Sequence, residues 1–290
     1  MSKDFFNSTL YPLILNNSVQ VPGQSNVYRY TFPVGSIFFS KAKIAVAEIS
    51  MYYSWFNITA AYNNKTFQFI MPTLAGSSTY TVTLPDGYYD VPGINAYLQQ
   101  FCITNGLYLV NSTGAYVYFL EFKTNANYYA VQFNAYPVPT SLPAGWTNPG
   151  GLTFPIASNT PQLIVNNNNF SLLVGISSGT YPSVVQTTNY SKLSSFTPQI
   201  SPVQSVIVAC SLLNNKYSNP STILYSFTSA GVAYGALIDA KPNEFAFIEI
   251  QEGSYSYFDI SFLDQNYNPL KLNDNNLVIQ LLLANEDDNF

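Results

Sequence analysis

Seven carboxylates stand in or beside apolar runs of the chain: Asp86, Asp90, Glu121, Asp239, Glu249, Asp259 and Asp264. Two such groups about 5–10 Å apart are the minimal machinery of glycoside hydrolysis, one as acid and one as nucleophile or base. Their neighbours point to simpler roles. Asp86-Gly87 is a turn signature, and Asp90 stands where a helix N-cap belongs. No histidine occurs in the sequence. That removes Ser-His-Asp and Cys-His catalysis and the commonest metal ligand together. Gly145 with Gly150-Gly151 lacks both the spacing and the lysine of a phosphate-binding loop. Asp264–Pro269 and Asn273–Asn276 carry the oxygens of a Ca²⁺ loop without its Asp-x-Asp-x-Asp-Gly frame, so they read as Asx turns. Trp55, Trp146 and the tyrosines offer faces that stack on sugars, or that fill cores and interfaces. The sequence thus assigns no catalytic, cofactor-binding or metal-ligating residue, and it reads as a non-enzyme with no cofactor.

What positions these groups follows from composition and periodicity. The 290 residues are 47% hydrophobic and only 9% charged, against about 25% charged in an average globular protein. The chain can fill a core, and disorder is not expected. A surface covered by Asn, Ser, Thr and Tyr instead of ions is poorly protected against association, which suits a chain packed among neighbours. AT-rich coding produces the same bias. Ten basic and fifteen acidic residues give a net charge of −5, and Arg29 is the only arginine. The lysines are scattered, so direct nucleic-acid binding is not expected. Cys102 and Cys210 have apolar neighbours, which favours two buried thiols over a disulfide. The opening Met1–Phe6 lacks the apolar region of a signal peptide, and no run approaches the ~18 apolar residues of a membrane span. The seven Asn-x-Ser/Thr sequons, from Asn7 to Asn189, are read as chance in such a chain.

Most segments alternate with period two. Expected strands are 27–32, 43–56, with a slip that implies a bulge, 66–71 and 80–84. Further strands are expected at 106–110, 115–122 and 128–134, forming a hairpin across Asn111–Gly114 that extends to a meander. Residues 162–165 and 170–176 resume the sheet. Residues 205–213 read as a strand buried on both faces, and five short strands follow between 222 and 283. Leu10–Leu15, interrupted by Pro12, suits an edge strand or an arm laid on a neighbour. One stretch is helical: Asp90 caps it, Pro92 fits its first turn, and Gly106 stops it. Its apolar stripe Ile94, Tyr97, Leu98 and Phe101 is expected to cover the 106–134 meander. Residues 136–161, rich in Pro and Gly, are too long for an ordinary connection and are either functional or mobile. Glu286–Asp288 is a short acidic tail. Many short strands so spaced make an all-β sandwich or barrel.

Three stretches together resemble the penton (vertex) proteins of virophages and polinton-like viruses. The first runs from Tyr30-Thr-Phe-Pro-Val-Gly-Ser through Ala42-Lys-Ile-Ala-Val-Ala to Tyr53-Ser-Trp-Phe-Asn-Ile58. The second is Leu84-Pro-Asp-Gly-Tyr-Tyr with the helix behind it. The third spans Asn169–Gly175, Gly179–Pro182, Ser205–Asn215, Phe262–Gln265 and Leu277–Leu282. The resemblance implies a single jelly-roll β-sandwich of two four-stranded antiparallel sheets with an inserted subdomain carrying one short helix. The jelly-roll core is expected at 1–84 and 162–290 and the inserted subdomain at 85–161. The implied function is a capsid protein, assembled in the host cytoplasm, whose homopentamers fill the five-fold vertices of an icosahedral virion beside major capsid protein trimers. A carbohydrate-binding β-sandwich is the alternative.

Overall fold

A computed structural model describes residues 9–285; the opening Met1–Phe6, Asn7 and the acidic tail Glu286–Asp288 lie outside them. The chain begins with strands β1 (Thr9–Asn16), β2 (Val27–Thr31), β3 (Ile37–Phe39) and β4 (Ala42–Tyr52). Next come β5 (Thr66–Thr73), β6 (Gly76–Thr83), helix α1 (Val91–Thr104), β7 (Leu109–Val110), β8 (Tyr116–Val117), β9 (Leu120–Asn125) and β10 (Ala130–Ala135). Then follow β11 (Gln162–Val165), helix α2 (Asn168–Val174), β12 (Gly179–Tyr181) and β13 (Tyr190–Leu193). The last stretch holds β14 (Val206–Cys210), β15 (Ile223–Phe227), β16 (Leu237–Ala240), β17 (Ile248–Glu249), β18 (Gly253–Tyr255), β19 (Tyr257–Leu263) and β20 (Val278–Asn285). Contacts divide the chain into two compact units: Phe56–Pro202, and the flanking chain up to Trp55 and from Val203. No helix among the described residues is long and apolar enough to cross a membrane.

The flanking unit is a jelly roll. Its eight principal strands, in chain order, are β1, β2, β4, β14, β15, β16, β19 and β20. One sheet runs β1-β20-β4-β16, with β17 also on β4, and the other runs β15-β14-β19-β2. First, eighth, third and sixth strands therefore share one sheet, and fifth, fourth, seventh and second the other, as two interlocked Greek keys require. All pairings are antiparallel. Period two buries Leu13 and Leu15 on β1, Ile279, Leu281 and Leu283 on β20, and Phe258, Ile260 and Phe262 on β19. The slip expected in β4 is a register shift opposite Gln280/Leu281; it keeps both Val46 and Ile49 buried. All five residues of β14 are buried, as its continuous apolar run requires. β1 pairs along its whole length with β20, so of the two readings for Leu10–Leu15 it is the edge strand. Cys210 is a free, buried thiol in this unit, and Cys102 is another in the inserted unit.

The inserted unit holds a four-stranded sheet β12-β11-β5-β6, a three-stranded sheet β13-β10-β9 and the hairpin β7-β8. Residues 85–161 fall wholly within this unit, which begins earlier and ends later in the chain. The reason is pairing: β5 and β6 form a hairpin, and β5 pairs on its other side with β11. The stretch 115–122 is not one strand of a meander. It divides into β8, paired with β7, and β9, paired with β10. Residues 170–176 are not a strand either but lie mainly in α2. The Asn167 side chain accepts hydrogen bonds from the Asn169 and Phe170 amides, Phe170, Leu173 and Val174 are buried at helical spacing, and Gly175 ends the turn in the left-handed region. The expected helix is α1. Asp90 accepts from the Gly93 amide at 2.7 Å, and Val91, Ile94, Leu98 and Cys102 form its buried face. It packs on β9, where the Asn95 side chain accepts from the Phe122 amide at 2.9 Å. Phe101 and Tyr80 lie edge to face at 6.3 Å, and Tyr97 donates to the Thr83 carbonyl, so half of the predicted stripe meets β6 instead. Phe67 stacks on Phe170 at 4.8 Å and meets Phe122 edge-on at 5.6 Å at the centre of this core.

Candidate functional site

The seven sequence-selected carboxylates do not converge. Asp86 takes the Lys65 ammonium at 2.7 Å and the Ala60 amide at 3.2 Å; Asp90 is the α1 cap. Asp239 shares Lys241 with Glu48 at 3.0 and 3.2 Å, and Glu249 lies on β17 opposite Lys43. Asp259 is held bidentately by Arg29, both contacts at 2.8 Å, and the guanidinium also covers the Tyr257 ring at 4.0 Å. Among the described residues no three acidic or thiol groups cluster as a metal site.

The two Asx-rich stretches are turns built around a buried aspartate. Asp264 accepts from the Asn266 and Asn268 amides and the Asn268 side chain at 2.7–3.1 Å. Asp274 accepts from the Tyr52 amide at 2.6 Å and the Asn276 amide at 2.7 Å. These carboxylate oxygens face N–H donors, the opposite of what a cation needs.

Glu121 is the exception. On β9 and β10 the polar residues Glu121, Lys123 and Asn125 stand directly opposite Asn134, Gln132 and Ala130. Asn125 donates to Gln132 at 2.9 Å, Gln132 to Asn134 at 2.8 Å, and Asn134 to Glu121 at 3.0 Å. The same Glu121 oxygen, Oε1, also accepts from the Tyr136 hydroxyl and from Lys123 at 2.8 Å. Burial pushes the Glu121 carboxyl up, but hydrogen bonds from Lys123, Tyr136 and Asn134 outweigh it and hold its pKa below the ordinary value. Burial, and then the Glu121 bond, pushes the Tyr136 phenol up to about 12. The alternation at 121, 123 and 125 against 132, 134 and 136 is the sequence signal for this network, and Glu121 is its one member among the seven carboxylates.

Beside the network lies a groove of about 450 Å³, lined by Val117, Tyr118, Phe119, Tyr136, Pro137, Pro139, Pro143, Trp146 and Asn189. The 136–161 stretch supplies most of one wall and is pinned in place. Thr147 and Val110 exchange backbone hydrogen bonds at 2.8 and 2.9 Å, and Val138 donates to Asn159. The Asn148 side chain bonds both the amide and the carbonyl of Leu152. Gly150 approaches Gly106 so closely that a Cβ on Gly106 would lie 2.1 Å from the Gly150 oxygen. Tyr116 stacks on Tyr118 and Tyr108 packs against both, extending the aromatic surface. Trp55 contributes nothing comparable. It is 2% exposed, 4.3 Å from Tyr53, and belongs to the core. A second hollow of similar volume, between Val91, Tyr129, Val131, Pro198 and Ile200, is lined mainly by carbon.

On the jelly roll, the side chains pointing away from the core include Leu10 and Ile14 on edge strand β1, 50% and 62% exposed, and the registered pair Leu237 and Tyr52 at the other edge of the sheet.

No family model and no curated protein matches the chain. Among solved structures it is similar to the mavirus penton protein, at 10% identity over 96% of this chain and 99% of that one, with a TM-score of 0.47. It is also similar to a chain of the Sputnik virophage structure, at 11% identity over 97% and 98%, with a TM-score of 0.44.

Proposed function

We propose that the chain is a structural capsid protein of an icosahedral virus, five copies closing a ring at each five-fold vertex beside major capsid protein trimers. The observation that carries this reading is the eight-strand jelly roll with apolar side chains at both edges of one sheet. A ring closed by rotation needs heterologous contacts, in which one surface of a protomer meets a different surface of the next. Leu10 and Ile14 at one edge, and Leu237 with Tyr52 at the other, are two such surfaces. The low charge of the chain fits a surface that spends its life covered. The sequence motifs shared with virophage penton proteins, whose order and spacing span most of the chain, support the same role. Jelly rolls also serve in lectins, and the groove in the inserted unit keeps a sugar-binding activity compatible with the capsid role.

Native mass spectrometry of the purified chain tests the ring. The reading expects a species of five times 32.2 kDa that Leu10→Asp with Ile14→Asp returns to monomer without lowering thermal stability. A wild-type chain that stays monomeric at high concentration contradicts it.

A further inference from the structure

We infer that the groove between Trp146, Tyr118 and Tyr136 is a binding site for a neutral oligosaccharide. Three features of the groove select this ligand class.

The first is shape with aromatic faces. An open groove of about 450 Å³ is within the usual range for small-ligand sites. Trp146, Tyr118 and Tyr136 present ring surface to it, and the C–H faces of a pyranose stack on such rings. The pinning of residues 136–161 means that little order has to be gained on binding, which is where affinity for flexible ligands is usually lost.

The second is charge. No Lys, Arg, Asp or Glu lines the groove, so it offers nothing to neutralise a phosphate, a sulfate or a peptide side chain of either sign. The ligand it complements is uncharged.

The third is the set of uncommitted polar groups. Among the described residues the Trp146 indole N–H, the Tyr118 hydroxyl and the exposed Asn189 amide have no hydrogen-bond partner within the protein. The Tyr136 hydroxyl is already committed to Glu121, whose Oε1 has three donors while Oε2 has none. The groove therefore presents an acceptor, the Asn189 oxygen, as well as the Trp146 and Tyr118 donors. Ligand hydroxyls both give and accept hydrogen bonds and can use all of them. A proline-rich peptide also favours aromatic grooves, but its prolines have no N–H and would leave the Asn189 oxygen unanswered.

The test uses the intact chain and the fact that it has two tryptophans. Trp55 is buried, so a ligand-dependent change in tryptophan fluorescence reports Trp146. Cellotetraose, maltotetraose, chitotetraose and a decaproline peptide are titrated separately. At least one tetrasaccharide is expected to shift the emission saturably and to lose at least tenfold in affinity on Asn189→Ala, which lies on the exposed rim, and on Trp146→Ala when followed by calorimetry. Folded protein that binds none of the three sugars overturns the proposal. Sugar binding unchanged by both substitutions overturns the location, and binding of decaproline alone overturns the ligand class. None of these outcomes bears on whether the chain forms pentamers.

Discussion

The jelly roll and the inserted unit come from one composition yet are held in different ways. In the jelly roll the backbone ladders do most of the work: β1, β4 and β20 pair along eight-residue registers, and alternate side chains supply the core. The inserted unit has one ladder of that length, between β5 and β6, and its irregular connections are held by asparagine side chains. Asn57, 1% exposed, donates to the Tyr89 and Ile200 carbonyls at 2.7 and 2.6 Å and accepts from the Tyr89 amide at 2.8 Å. Asn64 returns a bond to the Asn57 carbonyl and accepts from Thr59, while Asn95, Asn148 and Asn167 tie helix, loop and turn. An asparagine-rich composition, whatever its origin in coding bias, is thus used to hold the irregular connections of the inserted unit. The lesson concerns exposure as well. Regular ladders leave flat edges that suit contact with other chains, and side-chain cross-links leave a shaped surface that suits a small ligand.

Perturbations break or sharpen this comparison in a graded way. Phe67→Ala, at the centre of the inserted core, is expected to cost about 3–5 kcal/mol. Hydrogen exchange should show the lost protection within 56–202, whereas Phe258→Ala in the jelly roll should lose it in the flanking unit. Uniform loss of protection from both would erase the distinction between the units. Asn57→Ala strips the part-buried Tyr89 amide and the Tyr89 and Ile200 carbonyls of partners and is expected to cost about 2 kcal/mol in denaturant unfolding. A loss near zero would show that asparagine cross-links do not carry the inserted unit. Asp90→Ala removes the α1 cap and should cost about 1 kcal/mol, read in the same experiment. The smallest effect is a matter of pH. The folded Glu121 pKa lies below its unfolded value of about 4.3, so its contribution is present above that pH and is lost as pH falls through the folded value. Glu121→Gln should flatten this acid limb of the stability profile; an unchanged limb would mean that the polar ladder on β9 and β10 is not holding the carboxylate ionised.

Much of the jelly roll was legible because its signals are local. β14, β19 and β20 follow from period two or continuous apolar runs, and the β4 bulge follows from a slip in that period. α1 was legible for the same reason, with Asp90, Pro92 and Gly106 each at a diagnostic position. α2 was not, because its cap Asn167 is one of four consecutive asparagines that read equally well as a turn. The extent of the inserted unit depends on β5 finding β11 about ninety residues later, a pairing that no local pattern announces. Glu121 was visible as a carboxylate, and Trp146 as an aromatic in an irregular stretch. Tyr118, Tyr136 and Asn189 join them only because three separate segments meet, so the groove became visible only in three dimensions.

The central claim is the vertex role, and copy number in purified virus particles tests it most directly. Quantitative mass spectrometry of particles, with the major capsid protein as internal reference, should give about sixty copies of this chain per particle, five at each vertex of a closed icosahedral shell. Absence of the chain from particles, or a copy number matching that of the major capsid protein, would contradict the account.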